Sequence, residues 1–156
     1  MLFVYIISIN ICKKLKTYDT IPARMTNKMP KKITLKKFGT PDIGYLTPST
    51  APEIPFGVRR IFWIYATPGG VIRGRHTHKK TALMLFALAG TVTVKTETVD
   101  GTKKTFILDK PNVGLLIPPM VWHTEHCSHT SIQLALGSLP FDEKEFIRDY
   151  KTFKKS

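Results

Sequence analysis

His76 and His78 stand one residue apart in the stretch GVIRGRHTHKK, which runs from Gly70 to Lys80. On a β-strand, side chains at that spacing point to one face, because successive residues alternate. Two imidazoles on one face suit two kinds of chemistry. They can share a metal ion if a further ligand is nearby. Alternatively they can pass protons, since imidazole titrates near neutral pH. Aimed inward, they must be solvated in a cleft, hydrogen-bonded or metal-bound, because a buried polar group without a partner is costly. The spacing alone leaves both readings open.

The elements that must hold this pair are short strands. Residues 59–67 (RRIFWIYAT) are β-branched and aromatic and end at Pro-Gly-Gly, which predicts a strand. Residues 81–89 form a continuous apolar run closed by Gly90, a pattern shared by buried strands and buried helices. Residues 91–98 then alternate, and Asp100-Gly101 supplies a hairpin signal. Residues 33–38, 105–108, 114–117 and 131–136 read as further strands, and residues 47–55, rich in Pro, Ser and Thr, read as a loop. No long amphipathic helix appears before residue 140. In FDEKEFIRDYKTF, Asp142 and Glu145 have the spacing of a capping box, which predicts a short terminal helix or turn. Many short strands with Gly/Pro punctuation make the expected fold class all-β, a sandwich or barrel.

Composition bounds the rest. A chain of 156 residues suits one domain with a real core. Of the net charge of +13, residues 1–37 carry +8, with nine Lys/Arg against Asp19. Residues 1–32 are read as a basic leader outside the core, and residues 33–156 as a single domain. The mildly basic remainder suits an anionic small ligand and implies no specific nucleic-acid partner. The two cysteines, Cys12 and Cys127, have no paired spacing, so neither a disulfide framework nor a zinc site is suggested. Free thiols fit a reducing compartment, and the cytoplasm is the expected location. The apolar start, MLFVYIISINIC, is short of the roughly 20 residues a membrane-spanning helix needs. The lysines follow it rather than precede it, unlike those of a secretory signal.

The histidine context resembles the cupin superfamily. The cupin first motif is Gly, five residues, His-x-His, three or four residues, Glu, six residues, Gly; here, with a gap of four, Gly70, His76, His78, Leu83 and Gly90 occupy those places. The second motif, Pro-x-Gly-x-x-His, is matched by Pro118 to His123 with Met120 in place of Gly. The resemblance implies a jelly-roll β-barrel or sandwich with a short C-terminal helix or turn. It also puts an aliphatic residue, Leu83, where the usual metal carboxylate stands, which favours a metal-free site. A metal-dependent cupin using His76, His78 and His123 is the alternative, and a non-catalytic sugar-binding cupin is a third.

Four further stretches are similar to one cupin branch, the WxcM-like 3,4-ketoisomerases that act on dTDP-4-oxo-6-deoxyglucose in deoxysugar biosynthesis. They are IPFGVRRIFWIY, RGRHTHKK, NVGLLIPPMVWH and FDEKEFIRDYKTF. This resemblance implies an enzyme that moves a carbonyl from C4 to C3 through an enediol, with His76 and His78 as catalytic residues, no cofactor, no metal and no membrane span. It implies substrate-binding roles for Arg60, Arg73, Gly74, Tyr45, Trp122 and His123, and a homodimer. Two departures stand out. Phe62 and Trp63 occupy a strand that is tyrosine-rich in the family, and Ile43 occupies the place of an arginine.

Overall fold

A computed structural model describes residues 29–49 and 52–156 of the chain. Twelve strands account for half of these residues. They are β1 (Lys31–Thr34), β2 (Phe38–Thr40), β3 (Gly44–Leu46), β4 (Arg60–Tyr65), β5 (Ile72–His78), β6 (Leu83–Ala89), β7 (Val92–Thr98), β8 (Lys103–Leu108), β9 (Val113–Ile117), β10 (Val121–Cys127), β11 (Ile132–Gly137) and β12 (Phe146–Ile147). A single short helix, α1 (Tyr150–Lys154), closes the described chain. The strands form two antiparallel five-stranded sheets, ordered β1-β9-β6-β11-β4 and β12-β5-β10-β7-β8, with β2 and β3 as a separate hairpin. This is the expected all-β jelly-roll arrangement. Residues 1–28 of the expected leader, with Cys12, lie outside the described residues, and β1 begins at Lys31, two residues ahead of the expected domain boundary. Among the described residues no helix is long and apolar enough to cross a membrane.

The two sheets meet through one alternating set of apolar residues. Leu83, Leu85 and Ala87 of β6, Leu115 and Ile117 of β9 and Ala135 of β11 pack against Val92 and Val94 of β7, Leu108 of β8, and Val121 and Cys127 of β10. The other face of the first sheet is also covered. There Met84, Phe86, Leu116 and Leu136 pack against Leu35 and Phe56 from the N-terminal segment. Strand β6 is therefore buried on both faces, and this is why residues 81–89 read as an unbroken apolar run rather than an alternating one. The Asp100-Gly101 turn forms as its sequence predicts, with Gly101 at φ +87° and Thr98 N–H donating to the Thr102 carbonyl at 3.0 Å.

The C-terminal segment departs from the capping-box expectation. Asp142 does cap a turn, but only the 3-10 turn Glu143–Glu145, by accepting from Lys144 N–H. Glu145 does not reach back to it; its carboxylate accepts from Lys80 N–H at 2.9 Å. The helix starts one motif later, where Asp149 accepts from Thr152 N–H at 2.7 Å. Tying Glu145 to Lys80 holds the terminal segment over the end of β5. There β12 pairs with it, Phe146 opposite His78 and Ile147 opposite Thr77.

Candidate active site

The site is built on two neighbouring strands, β5 and β10. On β10, strict alternation turns Val121, His123, Glu125 and Cys127 inward, all of them buried. On β5, His76 and His78 point the same way, as their spacing requires. The strand does not stay regular behind them. The register with β10 shifts between His123 and Thr124, so that His76 faces His123 while Arg73 faces Glu125. Gly74 and Arg75 carry the extra residue, with φ of +75° and +57°. A β-bulge of this kind reverses the parity of the strand before it. Arg73, an odd number of residues from His76, consequently lines the same cavity as the histidines, whereas Arg75 does not.

The cavity has a volume of about 610 Å³, within the usual range for a small-molecule site. Three imidazoles cluster in it. The ring centroids of His76 and His78 are 4.9 Å apart, those of His76 and His123 4.5 Å, and those of His78 and His123 6.2 Å. Phe146 packs 4.5 Å from His78 and 5.0 Å from His76, closing one side. Phe62, Ile64 and Leu83 give the wall its apolar part. Three guanidinium groups, Arg60, Arg73 and Arg148, supply positive charge to the same space.

Burial keeps the imidazoles neutral. The His76 pKa is pushed down to about 4, chiefly by loss of solvation and then by the neighbouring His123. Loss of solvation, followed by His123, His76 and Arg60, pushes His78 down to about 2. Fully buried His123 falls to about 4 through loss of solvation. Each is therefore a free base at neutral pH. Arg60 Nη2 lies 3.5 Å from His78 Nε2. A guanidinium can only donate, so that nitrogen offers its lone pair and the His78 proton sits on Nδ1. Arg60 reaches this position across Gly137, its partner in the register, where a Cβ would come within 3.1 Å of Arg60 Nε.

Six of the eight residues singled out from the sequence line this cavity: His76, His78, His123, Arg60, Arg73 and Gly74. The two aromatic ones do not. Trp122 alternates to the far face of β10, where it meets Tyr150 and Phe153 at centroid distances of 5.2 and 5.6 Å and helps seat α1. Tyr45 lies on the β2–β3 hairpin, exposed, with Lys37 Nζ 4.0 Å above its ring. Gly74 also has a structural reason beyond closeness to a ligand: a Cβ there would stand 2.8 Å from the His123 carbonyl oxygen. Sequence reasoning missed Glu125 and Arg148. Glu125 was findable as the residue two after His123 on an alternating strand, and Arg148 lies in the FIRDY stretch already noted.

The donor set does not fit a metal ion. Leu83 offers no ligand, the His78 Nε2 lone pair faces a guanidinium, and among the described residues no group of three or more His, Cys, Asp or Glu is arranged to hold one. The paired departure at Phe62 and Trp63 resolves by alternation: Phe62 lines the cavity and brings no hydroxyl, while Trp63 points outward, 62% exposed.

Comparison with known proteins places this geometry. The family model described as FdtA, WxcM-like, C-terminal, matches residues 29–156. The chain belongs to this family. It is 39% identical over 105 residues to a TDP-4-oxo-6-deoxy-alpha-D-glucose-3,4-oxoisomerase of Aneurinibacillus thermoaerophilus, covering 66% of this chain and 74% of that one. Among solved structures it is similar to QdtA, a sugar 3,4-ketoisomerase from Thermoanaerobacterium thermosaccharolyticum crystallised with TDP. The TM-score is 0.76 and the identity 31%, over 81% of this chain and 92% of that one. A dTDP-4-dehydrorhamnose 3,5-epimerase from Bacillus anthracis shares the fold at 17% identity, with a TM-score of 0.66 over 75% of this chain and 76% of that one. The WxcM-like chain is thus a cupin-fold member of a sugar-isomerase group.

Proposed function

We propose that the protein is a nucleotide-sugar 3,4-ketoisomerase that converts dTDP-4-oxo-6-deoxyglucose to a 3-oxo isomer. The observation that carries this reading is the cluster of neutral imidazoles, with His76 and His78 on one strand, inside a cavity that also holds three arginines. The relatives support it: the Aneurinibacillus protein is named a TDP-4-oxo-6-deoxy-alpha-D-glucose-3,4-oxoisomerase, and QdtA is a sugar 3,4-ketoisomerase.

The reaction moves hydrogens as protons. A base takes the proton from C3, the C4 carbonyl oxygen gains one, and an enediol forms. C4 is then protonated and the C3 hydroxyl gives up its proton, leaving the carbonyl at C3. No electron acceptor enters the balance. His76 is the better placed base: it is half-buried, with access to the cavity, whereas His78 is buried and its Nε2 is taken by Arg60. Fixed in this way, His78 keeps a proton on Nδ1 and is suited to exchange it with a sugar oxygen. Arg73, exposed at the cavity edge, and Arg148 suit the diphosphate, to which a guanidinium fork donates in pairs.

A homodimer is part of this reading. Strand β4 is an edge strand, and its outward residues Ile61, Trp63 and Tyr65 form an exposed apolar row. A free edge with such a row favours coverage by another chain. In this reading residues 33–156 are one domain, and the cytoplasm, where nucleotide sugars are made, is its place of action.

The test is incubation with dTDP-4-oxo-6-deoxyglucose followed by ¹H NMR. The 3-oxo sugar is expected from the parent protein and not from His76→Asn. A folded protein that leaves the substrate unchanged would remove the reading.

A further inference from the structure

One polar group at the bottom of the cavity has no part in the mechanism so far. Glu125 lines the cavity and is 4% exposed, and its Oε1 lies 3.7 Å from His123 Nε2. The atoms on the other side of the His123 ring constrain what this contact can be. His123 Nδ1 approaches the Val121 carbonyl at 3.5 Å. A carbonyl oxygen only accepts, so the ring proton belongs on Nδ1 and Nε2 presents a lone pair. An ionised carboxylate is also acceptor-only. Facing Nε2, it would set two lone pairs against each other in a buried place, which costs free energy. One proton on the carboxyl removes the conflict, and a small rotation of the acid then closes an O–H to Nε2 bond.

We propose that Glu125 is a positioning residue of this enzyme, held as a neutral carboxylic acid that donates to His123 Nε2 and so fixes the ring against which His76 rests. The inference rests on the ketoisomerase reading, since it assigns Glu125 a part in the same proton transfers. It acts through contact: the His123 ring stands 4.5 Å from the His76 ring, edge-on, and the Nδ1 of His76 is buried without a hydrogen-bond partner. The Gly74 backbone and the rings around His76 share its positioning, and His123 is the nearest ring, ahead of His78 at 4.9 Å and Phe146 at 5.0 Å.

The surroundings of Glu125 agree with a neutral acid. From β5 it faces Arg73 and His76; on its own strand its neighbours are His123 and Cys127; from β11 the Gln133 amide is beside it, and its register partner on β7 is Val94. Loss of solvation raises its pKa above the ordinary carboxylate range, against the smaller opposing pull of Gln133, His76 and Arg73. Of these cations, Arg73 is exposed and screened by solvent. His76 is neutral over the working range, with its pKa at about 4.

Two variants of similar volume separate a donor from mere space-filling. Glu125→Gln keeps an N–H donor, whereas Glu125→Met keeps the volume and loses the donor. With the parent enzyme turning over, Glu125→Gln is expected to retain kcat within a few-fold. Glu125→Met is expected to lose roughly tenfold or more in kcat, part of what a positioned acid or base contributes, with KM little changed. The parent enzyme is expected to lose activity as pH rises and the carboxyl ionises, and Glu125→Gln is expected to lack that alkaline loss. A Glu125→Met protein with parental kcat, or a Glu125→Gln protein as impaired as Glu125→Met, overturns the proposal. A second measurement needs no turnover. The ¹³C signal of the Glu125 carboxyl in the folded protein is expected to remain that of the acid at pH 6, and a carboxyl fully ionised by pH 5 also overturns the proposal. If the parent protein shows no turnover, the ketoisomerase reading fails, while the carboxyl signal still reports on Glu125 itself.

Discussion

At the scale of single residues, the chemistry depends on imidazoles that stay uncharged. A base protonated below about pH 4 leaves the rate flat across neutral pH, because little of it is lost to protonation there. The kcat/KM profile of the free enzyme is therefore expected to fall on the acid side only below about pH 5, and an inflection near the ordinary histidine value of about 6.5 would contradict the burial argument. His76→Asn and His78→Asn should each lower kcat by roughly a hundredfold or more, the usual contribution of a positioned acid or base. Arg73→Ala acts differently. Its side chain is exposed where it lines the cavity, so KM should rise severalfold with kcat nearly kept. Steady-state kinetics on the three variants would distinguish these roles.

At the scale of elements, the irregular part of β5 decides which side chains reach the cavity. The pair at 76 and 78 was legible from spacing, because alternation requires a shared face. Arg73 was marked through resemblance alone; by alternation it belongs on the opposite face from His76. Only the extra residue at Gly74 and Arg75 brings it round, and nothing in the local sequence states that a bulge sits there. Trp122 shows the converse: it follows from alternation that the residue beside an inward His123 points out. Glycine at 74 is demanded twice, by φ of +75° and by the His123 carbonyl 2.8 Å from a would-be Cβ. Gly74→Ala is expected to cost about 1–3 kcal/mol in urea unfolding. It should also disturb the spacing of Arg73 from the histidines. An unchanged midpoint would show that the bulge does not need glycine.

At the scale of the whole molecule, the same buried histidines make the fold acid-sensitive. In the unfolded chain they bind protons below about pH 6.5, and in the folded chain His76 and His123 do so only near 4 and His78 near 2. Between those values the unfolded state binds more protons, so stability falls as pH drops from about 6.5 toward 4. Glu125, with its pKa raised, works the other way, but it is one group against three. The melting temperature is expected to be lower at pH 5 than at pH 7, and a Tm that rises on acidification would contradict the assignment. Much of the architecture was legible because antiparallel sheets alternate and their turns carry Gly and Pro. What sequence could not show were contacts between distant segments, such as Glu145 on Lys80 N–H and Phe146 beside His78, which close the cavity from the far end of the chain.

The most direct test of proton-transfer isomerisation is to run the reaction in D₂O and follow it by ¹H NMR. The account predicts that dTDP-4-oxo-6-deoxyglucose yields a 3-oxo sugar carrying solvent deuterium at C4, with neither product nor exchange in His76→Asn. A folded parent protein that forms no 3-oxo sugar, or forms it with no deuterium at C4, would contradict it.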